Sequence, residues 1–130
     1  MPQEPIWLSR AVADHMHEDQ RRLYGGNVGV LNDGGVESAI ARARNRFEYT
    51  NADVFECAAS YIFGLAKNRG YQDANKRTAF ATGLTFLRVN GIRIDAPSTD
   101  GIQLMLDVAT DVADESIIAL WLRERATPVR

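Results

Sequence analysis

The chain reads as an all-α protein, a single compact bundle of about six helices. Three observations carry that expectation. Two almost wholly apolar segments, Val54–Ala66 and Thr78–Val89, are each long enough for a core helix and too long for an ordinary strand. Capping residues stand ahead of most apolar-periodic stretches, as at Ser9, Asp53 and Asp114. Only Ile92-Arg93-Ile94 looks extended. At 130 residues, 45% hydrophobic and 25% charged, the sequence suits one soluble domain over 1–130 with one core.

Taken in order, Met1–Ile6 holds two prolines and is expected to be a loose lead-in. Ser9 opens a helix to about Leu23, with Leu8, Val12, Met16 and Leu23 near one face. His15 and His17 lie on it two residues apart, so they point to different faces and do not suit a shared metal. Tyr24–Gly35 contains five glycines and an Asn-Asp pair, which makes it a loop. Gly35–Arg46 reads as a short helix with Val36, Ala39, Ile40 and Ala43 inward. Its Arg42, Arg44 and Arg46 could form a basic stripe for nucleic acid. A solvated face partly offset by Glu37 and Glu48 is the better reading, since a net charge of −2 makes no case for nonspecific nucleic-acid binding.

Asn51 or Asp53 caps the next helix, which is apolar nearly all round and therefore central. Its lone Cys57 reads as core packing. The helix from Asn75 to Asn90 shows one stripe of Phe80, Leu84 and Leu87 and another of Ala79, Gly83 and Phe86. Gly91 follows as a stop. After the extended Ile92–Ile94, helices are expected over Thr99–Thr110 and from Asp114 to about Arg125, and Ala126–Arg130 is a tail. No stretch of about 18 apolar residues could span a membrane and no charged-then-apolar leader is visible, so a cytoplasmic location is expected.

Between the two apolar segments lies Asn68-Arg69-Gly70-Tyr71-Gln72-Asp73-Ala74-Asn75-Lys76-Arg77. A loop that delivers cations to the start of a helix meets free backbone N–H groups and the positive end of the helix dipole, a setting that favours phosphate. Lys76 and Arg77 supply charge, and Asp73 supplies a carboxylate able to hold magnesium against phosphate oxygens. The bland alternative makes Asp73 a cap, Asn75 a turn residue and the cations solvated.

The run Asp73-Ala74-Asn75-Lys76-Arg77-Thr78-Ala79, followed by Phe86-Leu87-Arg88 and Asn90-Gly91, resembles the core motif of the Fic/Doc family. In the Doc branch that motif reads roughly His-Pro-Phe-x-Asp-Gly-Asn-Lys-Arg-Thr-Ala. Upstream, Tyr24–Val30 and Glu37-Ser38-Ala39-Ile40-Ala41-Arg42 are similar to the family's glycine segment and Glu-Ser-Ala-x-Ala-Arg helix start. The resemblance covers about Leu8 to Leu122. It implies a Fic/Doc fold, and a Doc toxin that uses ATP and Mg²⁺ to move a phosphoryl group to a threonine of elongation factor Tu, arresting translation. It further implies neutralisation by a Phd-type antitoxin whose C-terminal segment lies in a groove between helices. On this resemblance Asp73 holds the metal and binds cofactor together with Asn75, Lys76 and Arg77. The glycine-rich Tyr24–Gly35 loop is then either a plain linker or the family's flap, which aligns the target by strand-like pairing.

One departure governs the activity. An ungapped match puts Arg69 at the family's catalytic histidine, Gly70 at its proline, Tyr71 at its phenylalanine and Ala74 at its glycine. A gapped match puts Tyr71 at the catalytic place instead. Neither leaves a histidine there. A guanidinium stays protonated far above neutral pH and cannot serve as a general base. The expectation is a catalytically disabled Doc-type kinase. The alternatives are a Fic-type enzyme transferring AMP from ATP and a non-catalytic protein that binds nucleotide or antitoxin. Fic enzymes carry a second glycine where this chain has Lys76, which favours the Doc reading.

Overall fold

A computed structural model describes residues 3–27, 29–71 and 74–129. Six helices account for most of it: α1 (Arg10–Tyr24), α2 (Asp33–Thr50), α3 (Val54–Asn68), α4 (Asn75–Val89), α5 (Ser98–Ala109) and α6 (Glu115–Glu124). Two short strands, β1 (Ile92–Ile94) and β2 (Ala126–Pro128), form an antiparallel pair. The all-α expectation holds.

α3 is the axis of the bundle, packed against α2, α4 and α6. Its start is set by a capping box: the Asp53 carboxylate accepts from the Glu56 N–H (2.8 Å) and the Glu56 carboxylate accepts from the Asp53 N–H (3.0 Å). Nine of its residues from Cys57 to Ala66 are buried, as an apolar circumference requires. Close approach depends on two glycines. A Cβ at Gly64 would lie 3.2 Å from Ala39 of α2, and one at Gly83 of α4 would lie 2.3 Å from Ile62 Cγ1. The central helix is thereby clamped on two sides, so the loop that leaves its C-terminus starts from a rigid base.

Several sequence expectations are corrected. α2 is longer than Gly35–Arg46. The Asn32 side chain caps its start by accepting from the Gly35 N–H (3.0 Å), and it runs on until Asn51 turns into the left-handed region at φ 53°. Ser9 sits at the N-cap of α1 without a side-chain cap bond. The buried face of α1 is Ala13 and His17, with Leu23 exposed beyond it. The terminal segments are not loose where they are described. Ile6 is gripped by the Asn90 side chain through its N–H (2.7 Å) and its carbonyl (3.0 Å). Residues 126–128 form β2, because β1 leaves an unpaired edge whose backbone groups need partners.

The arginines of α2 face solvent as expected, Arg42 and Arg44 exposed and Arg46 half-buried, but two of them also have a partner on another helix. Arg42 and Arg46 both reach the Glu115 carboxylate at the start of α6, and Ser60 of α3 donates to the same carboxylate at 2.9 Å. Their partner lies about 70 residues away in sequence, beyond the reach of any local pattern. Arg44 stays on the surface with Glu48.

Candidate functional site

The segment between α3 and α4 is bounded by two residues in the left-handed region, Arg69 (φ 47°, ψ 48°) and Ala74 (φ 62°, ψ 26°). Neither is glycine, so both sites are strained by the Cβ. Ala74 stands where the family motif has glycine, and its positive φ is the physical reason for that preference. Gly70 is required for another reason: a Cβ there would lie 2.2 Å from Val36 Cγ2. A proline at this position, as in the motif, would not fit against this α2.

Tyr71 anchors the segment. It is buried, its ring stacks on His17 at 4.1 Å, and its hydroxyl donates to Asp14 Oδ1 at 2.8 Å. Asp14 is paired with Arg10 (3.0 Å), and Arg10 also reaches Asp33 and Glu37 at 2.8 Å each. A chain of polar contacts thus runs from the loop through α1 to the start of α2. Burial, reinforced by the bond to Asp14, raises the Tyr71 hydroxyl well above its ordinary pKa. The same anions hold the Arg10 guanidinium firmly charged, overcoming its desolvation.

Asn75, the first residue of α4, clasps Tyr71 from the other side. The Tyr71 N–H donates to Asn75 Oδ1 and Asn75 Nδ2 donates to the Tyr71 carbonyl, both at 3.0 Å. Its amide therefore frames the loop. The glycine-rich segment is tied down as well: the N–H groups of Leu31 and Asn32 donate to the Gly70 carbonyl (2.8 and 2.9 Å), and Val30 forms an antiparallel bridge with Tyr71. The segment is thus held against the loop by backbone pairing.

These elements enclose a cleft of about 590 Å³ whose lining includes Leu31, Lys67, Arg69, Asn75, Lys76 and Arg77. The first turn of α4 opens into it without a side-chain cap, leaving backbone N–H groups available. Four cations border the cleft. Lys67 is paired with Asp111 at the end of α5, and Arg77 donates to the Gly25 carbonyl (3.0 Å) beneath the Tyr24 ring. Arg69 and Lys76 are exposed and have no hydrogen-bond or ion-pair partner among the described residues. The arrangement gathers positive charge at a helix start, a setting whose chemistry suits an anion.

Arg69, Asn75, Lys76 and Arg77 are thus brought together as the sequence suggested. Asp73, the expected metal ligand, lies outside the described residues. Sequence reasoning missed Lys67, Asp14 and Arg10. Arg10 and Asp14 do carry a signal, an opposite-charge pair at helical i, i+4 spacing. Lys67 looked like no more than the end of an apolar helix.

The Fic/DOC family model matches residues 7–87. The chain belongs to the Fic/Doc family. It is 36% identical over 110 residues to "Protein kinase doc" of Escherichia phage P1, covering 83% of this chain and 86% of that protein. It is 35% identical over 103 residues to "Toxin Doc" of Mycolicibacterium smegmatis (strain ATCC 700084 / mc(2)155), covering 76% of this chain and 79% of that one. The matched region of the Fic/Doc model takes in α1 to α3 and all of α4 but Arg88 and Val89, and so the whole polar loop. α5, α6 and the β pair lie beyond it, although Ala109 at the end of α5 lines the Fic/Doc cleft and Asp111 just after it pairs with Lys67. Among the described residues no helix is long and apolar enough to cross a membrane.

Proposed function

We propose that this chain is a Doc-type toxin whose cleft is built for transfer of a phosphoryl group from ATP to a threonine hydroxyl of elongation factor Tu, and that Arg69 disables the transfer. The observation that carries the reading is the placement of Arg69 at the mouth of a cationic cleft, directly after the central helix, with Tyr71 buried behind it. That geometry favours the ungapped match. The motif's aromatic position suits a side chain in the core, and Tyr71 is in the core. Its raised hydroxyl pKa and its bond to Asp14 make it a poor base. Arg69 then occupies the histidine position.

The chain's own residues fit a nucleotide phosphate chain. Lys76 and Arg69 offer charge with no partner among the described residues, and the first turn of α4 offers N–H donors aligned with the helix dipole. Arg77 has donors beyond the one given to Gly25. Asn75 holds the loop and keeps a second amide hydrogen. Such groups act by positioning and by stabilising charge that develops in the transition state. Magnesium, for which Asp73 is the candidate ligand, would neutralise charge between phosphate oxygens when bound. Arg69 cannot accept the proton that the attacking hydroxyl must lose, so the transfer stops at that step.

The paired backbone of Val30 and Tyr71 supports the flap reading for the glycine-rich segment, with the acceptor segment of the target lying along it. A Phd-type antitoxin segment is the partner this reading implies. The test is transfer of label from γ-labelled ATP to purified elongation factor Tu by the chain and by Arg69→His. Transfer by the histidine variant alone is expected. Label moving only from α-labelled ATP would replace the kinase reading with AMP transfer. No transfer from either label would sink the reading for this target.

A further inference from the structure

We infer that Tyr24 is a positioning residue of the site, whose ring holds the Arg77 guanidinium in place at the cleft. The inference rests on the phosphoryl-transfer reading above and adds to it a residue from outside the cleft lining. Arg77 lines the cleft, and two groups at the end of α1 hold it there. The Gly25 carbonyl accepts from Arg77 Nη2 at 3.0 Å, and the Tyr24 ring covers the guanidinium carbon at 5.6 Å from the ring centroid. Local structure explains why both groups are available. Gly25 ends α1 at φ 86°, a conformation that favours glycine, and its N–H closes the helix on the Arg21 carbonyl at 2.8 Å. Its own carbonyl lies past the last turn, where no helical N–H follows to take it. The same end of α1 is the negative pole of the helix dipole, which suits a cation.

The manner of holding is what points to function. Among the described residues four arginines lie over aromatic rings: Arg42 on Phe63, Arg77 on Tyr24, Arg123 on Phe55 and Arg125 on Trp121. Three of them are also paired with a carboxylate, that of Glu115, Asp53 and Glu124 in turn. Arg77 alone has no carboxylate partner among the described residues. A carbonyl and a ring fix a guanidinium without cancelling its charge, whereas the Asp111 carboxylate that holds Lys67 cancels much of the lysine's. An unheld arginine must give up its rotamer freedom when an anion arrives. A neutral clamp removes part of that cost beforehand and leaves the charge for the transition state. Packing offers no competing reason for the ring. Tyr24 is 68% exposed beside an exposed Leu23, and its hydroxyl has no partner among the described residues. The ring therefore serves Arg77 more than the core, and the hydroxyl is dispensable.

The experiment compares Tyr24→Ala and Tyr24→Phe, each made in the chain and in Arg69→His. In the chain, NMR relaxation of the Arg77 Nε–H measures how tightly the guanidinium is held. Tyr24→Ala should lower that order and Tyr24→Phe should keep it. In Arg69→His, with γ-labelled ATP and elongation factor Tu, Tyr24→Ala should lower kcat/KM for ATP about two- to fivefold, the worth of an exposed cation–π contact. KM for elongation factor Tu should not move, and Tyr24→Phe should match its parent. Unchanged Arg77 order in Tyr24→Ala would overturn the inference. So would lower order with unchanged kcat/KM, which would show that the hold has no bearing on the reaction. Tyr24→Phe as slow as Tyr24→Ala would overturn it too, by moving the role from the ring to the hydroxyl. If Arg69→His transfers no label, the kinase reading falls, and Arg77 order in Tyr24→Ala still decides whether the ring holds the cation.

Discussion

At the residue scale the site depends on two side chains that do no chemistry. Tyr71 joins the loop to α1 by its hydroxyl and to His17 by its ring. Tyr71→Phe keeps the stack and leaves Asp14 with Arg10 alone. The expected loss of stability is about 1 kcal/mol, the net worth of one partly buried hydrogen bond to a charged acceptor, read from urea unfolding. In an Arg69→His background the same change should lower kcat more than it raises KM, since it loosens the loop and removes no ligand. An unchanged kcat would show that the link to Asp14 does not position the site. Ala74 offers the opposite sign. Its φ of 62° suits glycine, so Ala74→Gly should stabilise the chain by about 1 kcal/mol, the relief of left-handed strain partly offset by added freedom in the unfolded chain.

Cys57 gives a prediction in pH. The thiol is wholly buried between α2 and α3 and its pKa is pushed up by desolvation to about 11 from an ordinary 9.0. A group raised in the folded state contributes its full share of stability below its unfolded pKa and loses it as pH climbs through the folded value. Unfolding free energy should therefore fall between about pH 9 and 11, by an amount on the order of 2 kcal/mol from this group. The slope should be shallower in Cys57→Ala across that window. Buried Tyr61 and Tyr71, also raised, extend the decline to higher pH in both proteins. Equal slopes for the chain and Cys57→Ala would mean that the thiol does not ionise on unfolding in this range.

At the scale of elements, the sequence showed where helices lie better than where they end. α3 and α4 were legible because apolar residues cover them and because Asn51 and Asp53 offered a cap for α3, a choice the structure settles on Asp53. α2 was underestimated at both ends. Its start depends on Asn32 reaching Gly35 within a glycine-rich stretch, and its last turn carries Phe47 into the core where only the packing reveals it. β2 was invisible for a different reason: a three-residue strand containing proline has no periodicity, and it exists because β1 lies beside it. Of the candidate site, the cations at the start of α4 could be read directly, whereas Lys67 and Asp14 join it only through tertiary contact. Gly83 tests the packing that creates the site. Gly83→Ala places a Cβ 2.3 Å from Ile62 Cγ1 and forces α3 and α4 apart, which should cost about 2 kcal/mol. Any gain in stability, as helix propensity alone would dictate, would show that the two helices separate freely.

At the scale of the whole molecule, one carboxylate fastens the distant α6 to the consecutive helices α2 and α3. Glu115, at the first turn of α6 and mostly buried, accepts from Arg42 and Arg46 of α2 and from Ser60 of α3. Its position also places a negative charge at a helix start, where the dipole favours it. The energetics are asymmetric. Forming such a cluster gains little over apolar packing, but removing one member leaves the others desolvated without a partner. Glu115→Ala takes the shared anion from two guanidinium groups and a buried hydroxyl, and the expected loss is about 1 to 2 kcal/mol, moderated because Arg46 and Ser60 keep Glu56 and both arginines reach water. Arg46→Met alone should cost less than Glu115→Ala, because Arg42 and Ser60 still satisfy the carboxylate. The double variant Arg46→Met, Glu115→Ala should then lose less than the sum of the two, with a coupling of about 1 kcal/mol or more in a double-mutant cycle. Strict additivity would mean that α2, α3 and α6 are held by their apolar faces alone. In that case the cleft, which hangs from the end of α3, would owe its rigidity to the close contacts at Gly64 and Gly83.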